Sequence, residues 1–199
     1  MESSVRSMST SHRSVLLLRC KVVVVGDAHV GKSSLVSMFH SRSFPKQYLM
    51  TTWVDFRVKQ VPLKEDVVVE LYLFDCAGQS IFNQIEANNS HYENANFVVV
   101  VYDSTSQSSF ESCGKLIQIV IGDQQSCGGV VVANKCDLTE RRCVTREMGQ
   151  GLAESNGFAY FETSATATAE GEYDYEAPFK HIANEFAVKY EGSRLKALN

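Results

Sequence analysis

The chain has 199 residues, enough for one well-buried core and, once its ends are set aside, a single domain of ordinary size. Its 19 basic and 23 acidic side chains leave a net charge of −4, and no basic run exceeds a pair such as Arg141-Arg142, which excludes an electrostatic footprint for nucleic acid or anionic lipid. Six cysteines (Cys20, Cys76, Cys113, Cys127, Cys136, Cys143) form no C-x-x-C pair, so they fit neither a zinc site nor a disulfide framework and read as free thiols of a reducing compartment.

Residues 1–14 are rich in Ser and Arg, and the apolar run at 15–18 is too short for a signal-peptide core or a membrane span. Residues 1–19 are therefore expected to form a disordered extension, with a transit peptide as the alternative. The domain is expected over 20–191. A strand at 20–25 precedes a helix at 32–41 whose Leu35, Val36 and Phe39 face the core. Residues 53–61 set Val54, Phe56 and Val58 against Asp55, Arg57 and Lys59, the alternation of a half-exposed edge strand, and 67–74 pairs with it. The runs at 97–102 and 129–133 are continuously apolar, as in fully buried strands. Helical patterns follow at 108–121 and 145–156, the second weakened by Gly149 and Gly151. A strand at 158–162 precedes a helix entered at Pro178 with the core stripe Phe179, Ile182, Ala183, Phe186, Ala187, Tyr190. Residues 192–199 read as a tail without cysteine, so no prenyl anchor is expected. Strands alternating with helices predict an α/β fold: a parallel sheet with crossover helices on both faces.

Directly behind the first strand stands Gly26-Asp27-Ala28-His29-Val30-Gly31-Lys32-Ser33, a G-x-x-x-x-G-K-S string. A triphosphate concentrates negative charge, and a loop of inward-pointing N–H groups at the positive end of a helix meets it. Ala28, His29, Val30, Gly31, Lys32, Ser33 and Ser34 are the expected cradle. Lys32 would reach the β/γ-phosphates, and the Ser33 hydroxyl would join the octahedral shell of Mg²⁺. A phosphate loop alone leaves ATPases, kinases and GTPases open. The choice turns on Asn134-Lys135-Cys136-Asp137 after the buried strand. Guanine presents an N1–H and a 2-amino group together, and the single carboxylate of Asp137 can accept both, whereas adenine would leave it unsatisfied.

Together with Asp75-Cys76-Ala77-Gly78-Gln79 and Glu162-Thr163-Ser164-Ala165, these strings resemble the Ras-like small GTPase superfamily over essentially all of 20–190. The resemblance implies a P-loop GTPase fold with a six-stranded, mostly parallel sheet, one antiparallel edge strand and helices on both faces, binding GTP or GDP with Mg²⁺. It implies that Asp75 holds Mg²⁺ through water, that the Gly78 N–H senses the γ-phosphate, and that Gln79 orients the attacking water. Thr51, 18 residues past Ser33, looks like the threonine that closes over Mg²⁺; Phe44 matches the aromatic packed against guanine. Lys135 would lie over the base by its alkyl stem, with Ser164 and Ala165 at the base edge.

The run at 51–56 looks like Rab proteins, except that Trp53 stands where they carry a small glycine. The runs at 54–62 and 175–179 are similar to the Rab-like subunits of intraflagellar transport complex B. That resemblance implies a train subunit of cilia or flagella, with basal-body and cytoplasmic pools. Its partners would be a small β-sandwich subunit, other complex B proteins and the export of the BBSome adaptor, with no nucleic acid and no lipid anchor. Ala28 and His29 occupy two loop positions that are glycine in Ras and crowd the place where Gln79 and an external arginine must meet, so slow hydrolysis is expected. His29 as a general base is the alternative to a solvent-facing loop residue. Three readings stay open: a working switch, a subunit that keeps GTP as a structural ligand, and a membrane-recruited trafficking Rab.

Overall fold

The computed structural model describes residues 15–44, 51, 54–64, 66–76, 78, 93–122, 127–166 and 171–197. Valine-rich segments form the centre of a six-stranded sheet because side chains buried on both faces need no polar alternation. The strands are β1 (Leu16–Val25), β2 (Val54–Lys64), β3 (Val67–Cys76), β4 (Phe97–Asp103), β5 (Gly128–Asn134) and β6 (Ala159–Glu162), in the order β2-β3-β1-β4-β5-β6. β1 runs parallel to β3 and β4, β4 to β5, and β5 to β6, while β2 is antiparallel to β3 at the edge. The helices are α1 (Lys32–Ser41), α2 (Gln107–Ile121), α3 (Arg146–Ser155) and α4 (Ala177–Ala197).

Odd and even strand positions feed two cores. Val22, Val24, Val99 and Val101 pack with Leu35 and Phe39 of α1 and with Phe179, Ile182 and Ala183 of α4. Val23, Val98, Val100 and Val131 pack with Cys113, Leu116 and Val120 of α2 and with Ala153 of α3. The Phe39 and Phe179 rings stack at 4.3 Å between centroids, joining the end of α1 to the start of α4. Beside them Glu176, 8 % exposed, takes Lys180 at 2.8 Å and Arg42 at 3.5 Å. Side-chain caps start α2 and α3: Ser106 accepts from the Ser109 N–H, and Thr145 from the Met148 N–H.

Some expectations shift and others gain detail. β1 starts at Leu16 rather than at residue 20, because its register with β3 continues from Leu16↔Val67 and Leu18 is buried. The extension read over 1–19 thus loses 16–19 to the sheet, and 1–14 lie outside the described residues. In β2 two of the apolar set turn outward, Phe56 at 52 % exposure and Val58 at 38 %, while Val54 is half-buried against the second core and Val61 is buried from the opposite face. The neighbouring face carries Lys59, whose ammonium donates to the His40 carbonyl at the end of α1 and lies over the Phe39 ring, so a cation closes the helix there and the apolar residues turn away. α4 continues to Ala197, through most of the expected tail, and Tyr190 leaves its core stripe at 39 % exposure. Gly149 is required where it stands, since a Cβ there would lie 2.4 Å from the Tyr102 hydroxyl, whereas one at Gly151 meets open space. The six cysteines form no disulfide with one another, and Cys20, Cys76, Cys113 and Cys136 are buried.

Candidate functional site

Apart from Phe44 and Thr51, which lie between α1 and β2, the expected site residues that are described lie at the carboxyl ends of the parallel strands or in the segments that follow them, where an open α/β sheet leaves a crevice. At one end of that crevice β1 runs out at Val25 and the chain curls through Gly26 (φ 151) and Gly31 (φ 97) into α1. Glycine at 31 allows a close approach, for a Cβ would sit 2.3 Å from Asn134 Nδ2. His29 adopts φ 65 without being glycine and is exposed, whereas Val30 is buried and fixes the loop. Gly31 precedes α1 with no side-chain cap, which leaves first-turn N–H groups, those of Ser33 and Ser34 among them, for an anion.

Lys32 is 6 % exposed and folds back over the loop, donating to the carbonyls of Gly26 (2.9 Å) and Asp27 (2.8 Å). Burial lowers its pKa, and the nearby Asp75 carboxylate works against that. The Ser33 and Thr51 hydroxyls are 3.0 Å apart. Asp75, at the end of β3, is 1 % exposed, and neither carboxylate oxygen has a hydrogen-bond partner of normal geometry. Burial pushes its carboxyl above the ordinary range, with Ser33 and Lys32 pulling the other way. An orphaned buried carboxylate beside two hydroxyls is a hard-oxygen donor set, and it fits Mg²⁺. Gly78 passes against the same loop: a Cβ there would be 2.3 Å from the Ala28 nitrogen. Asp27 is tied to α2 by the Ser112 hydroxyl at 2.9 Å.

The other end of the crevice is built from β5 and the loop after β6. Asn134, 1 % exposed, donates from Nδ2 to the Val30 carbonyl at 2.8 Å and accepts the Thr163 hydroxyl at 3.3 Å, clasping the phosphate loop to the loop that carries Ser164 and Ala165. The Cys136 N–H and the Thr163 carbonyl meet at 3.1 Å, so 134–137 and 163–165 are neighbours. Ser164 is buried, its N–H on the Tyr173 carbonyl and its hydroxyl 2.8 Å from that of Thr166; Ala165 is 6 % exposed. Lys135 takes φ 60, and its ammonium reaches Asp103 Oδ2 at 2.6 Å. Asp137 is exposed beside it, with no hydrogen bond or ion pair among the described residues. Phe44 follows α1 at 48 % exposure, a ring without a core to cover it. Gln79 and Trp53 lie outside the described residues.

Behind this end sits a polar cluster that the motifs do not announce. Glu162 accepts from Arg142 and from the Tyr160 hydroxyl (2.9 Å), with Arg146 at 3.9 Å, and Tyr160 meets Tyr102 at 3.4 Å. Burial would raise the Glu162 carboxyl, yet Arg142 and Tyr160 outweigh it and hold it below the ordinary value. Burial pushes Tyr102 up to about 12. Asp103, Arg142 and Thr163 were not among the expected site residues; the signal for Asp103 was its place at the carboxyl end of the buried run of β4.

A crevice that offers an uncapped helix N-terminus, a buried lysine, a metal-ready oxygen set and, at the far end, an open carboxylate next to backbone N–H groups can hold a phosphorylated, Mg²⁺-bound ligand with a donor-rich base. Among the described residues no helix is long and apolar enough to cross a membrane. The description of the Ras family matches residues 21–187. The chain is 41 % identical over 178 residues to the intraflagellar transport protein 27 homolog of Mus musculus, covering 87 % of this chain and 92 % of that protein. It is 35 % identical over 176 residues to the homolog of Trypanosoma brucei brucei (87 % and 93 %) and 31 % identical over 182 residues to Ras-related protein Rab-13 of Bos taurus (90 % and 85 %).

Proposed function

Because the chain belongs to the Ras family of small GTPases, we propose that it is a slow, Mg²⁺-dependent GTPase that serves as a nucleotide-dependent subunit of intraflagellar transport complex B in cilia or flagella. The observation that supports the nucleotide half is the Asn134 clasp, which ties the phosphate loop to the loop that carries Ser164 and Ala165, as one ligand spanning both would need. In this reading Lys32 and the N–H groups of 28–34 hold the phosphates, and Ser33, Thr51 and Asp75 hold the ion. Asp137, Lys135, Phe44, Ser164 and Ala165 hold guanine. Mg²⁺, when bound, neutralises phosphate charge as it builds toward transfer. Gln79 orients water. Hydrolysis is slow because no arginine stands in cis among the assigned positions and because Ala28 and His29 bring side chains to two loop positions that are glycine in Ras, where Gln79 and an external arginine must meet. A Ras-like site without an arginine turns over at about 10⁻⁴ per second.

The transport half is supported by relatives whose names are those of intraflagellar transport proteins. The partner is a small β-sandwich subunit docked on a surface that includes α4, where Val188 (67 %) and Tyr190 (39 %) are exposed, and the assembly is linked to BBSome export. Titration calorimetry should give GTP and GDP affinities far above ATP, and chelating Mg²⁺ should weaken both. From flagellated cells, wild type should co-purify with transport particles and Ser33→Asn should not. Equal ATP affinity overturns the nucleotide reading. Particle entry by Ser33→Asn at wild-type level overturns the switch and favours a structural GTP.

A further inference from the structure

Lys135 leaves β5 in a left-handed conformation (φ 60), and one-third of its side chain is exposed. Its ammonium is not free there. It ends 2.6 Å from Asp103 Oδ2, and the other carboxylate oxygen is saturated by the Thr105 N–H (2.8 Å) and hydroxyl (2.7 Å). The Asp103 backbone is held in turn: its N–H donates to the Ser109 hydroxyl at 3.1 Å, its strand neighbour is Asn134, and the Ser104 hydroxyl bonds the Lys135 carbonyl at 3.2 Å. Such a carboxylate, bonded at both oxygens and 12 % exposed, has little freedom to follow the lysine, so the lysine must come to it. Burial would raise the Asp103 carboxyl, but Lys135 and Thr105 together keep it below the ordinary value, so it is anionic at neutral pH.

We propose that Asp103 is a positioning residue for the nucleotide site: by anchoring the ammonium of Lys135 it lays the lysine stem over the base, and thereby sets how long the nucleotide stays without affecting which base is chosen. This rests on the guanine reading of Lys135 and Asp137. Base identity is assigned to Asp137 and the Ser164–Ala165 loop, which contact neither Asp103 nor its Thr105 donors by any hydrogen bond described above. A floppy Lys135 gives up ordering already achieved before binding, and the loss falls on the bound state.

The test is release of a fluorescent GDP from the full chain, chased with excess unlabelled GDP, for wild type, Asp103→Asn, Lys135→Met and the double variant. Asp103→Asn should speed release about fivefold to tenfold, as for loss of one charge-assisted hydrogen bond. Lys135→Met should speed it at least as much, and the double variant should match Lys135→Met alone, since Asp103 acts only through the ammonium. The GDP-to-IDP affinity ratio should be the same in wild type and Asp103→Asn. Release from Asp103→Asn at the wild-type rate, an equal acceleration in the Lys135→Met background, or a changed GDP-to-IDP ratio each overturns the positioning role. Should Asp103→Asn fold poorly, Thr105→Val removes one donor behind the carboxylate and should give a smaller acceleration that also vanishes with Lys135→Met. Wild type with no saturable GDP binding overturns the guanine reading itself, separately from the variants.

Discussion

The two ends of the crevice are built on opposite terms. At the phosphate end Asp75 is buried with both oxygens unpartnered, Lys32 is desolvated against carbonyls, and α1 starts without a cap. At the base end nearly every polar group is already matched: Asn134 to Val30 and Thr163, Asp103 to Lys135 and Thr105, Glu162 to Arg142 and Tyr160. One end is a frame made ready by the protein alone; the other is completed only by a charged ligand. On the proposed reading, such a site concentrates the ligand's contribution to stability at the phosphates and keeps the rigidity for the base at the other end.

The largest effect that could break this comparison is ligand removal. At a thousandfold excess over Kd a ligand that binds only the folded state stabilises by about 4.1 kcal/mol, and GDP with Mg²⁺ should therefore raise Tm by on the order of 10 °C in differential scanning calorimetry. An unmoved transition would mean that the phosphate end is complete without its ligand. Asp137→Ala comes next: it should leave Tm of the free protein unchanged, because the side chain is exposed and unpaired. In calorimetric titration it should lose up to about a hundredfold of guanine over adenine preference. Gly149→Ala drives a methyl into Tyr102 and Tyr160 behind the base end and should cost about 1–3 kcal/mol in urea melts, while Gly151→Ala, facing open space, should be neutral or stabilise by up to about 1 kcal/mol.

The smallest effect carries the sharpest sign. Burial raises the Asp75 carboxyl, so in the ligand-free protein its contribution is fully favourable below the ordinary carboxylate pKa and is lost as pH rises through the raised value. Glu162 is depressed, chiefly by Arg142 against the opposing effect of burial, so its contribution is present above the ordinary value and lost as pH falls through the depressed one. Asp75→Asn should then stabilise the ligand-free chain near pH 7 by about 1 kcal/mol and Glu162→Gln destabilise it by about 1–2 kcal/mol. Urea titrations between pH 4 and pH 8 measure both. A destabilising Asp75→Asn would put a hidden partner on that carboxylate.

How much of this was legible follows from the kind of signal. The strings at 26–33 and 134–137 stand out because a site for phosphate or guanine demands particular groups at fixed spacing, and the structure brings the two together at Asn134 and Val30; the runs of β4 and β5 could be read because burial on both faces leaves no polar residue to confuse the pattern. Alternation in β2 announced a strand with two faces but not which face meets the helices; that depended on Lys59 reaching the end of α1, a contact across 19 positions. The Leu16–Arg19 segment was missed because charged Arg19 next to a Ser-rich stretch resembles a tail, and only pairing with β3 makes it a strand. Asp103, Arg142 and Thr163 were invisible as site residues because each acts through a partner 20 to 32 positions away.

The ring stack of Phe39 on Phe179 also bears on how the protein is made. These residues are 140 positions apart, and α4 supplies Phe179, Ile182 and Ala183 to the core that also holds Val30 of the phosphate loop. A nascent chain emerging from the ribosome can pair β1, β3 and β4 early and lay α1 on one face, but that face stays only partly covered until α4 has been synthesised. A protein halted in translation before α4 therefore carries its phosphate loop on a core that lacks the Phe179, Ile182 and Ala183 contribution.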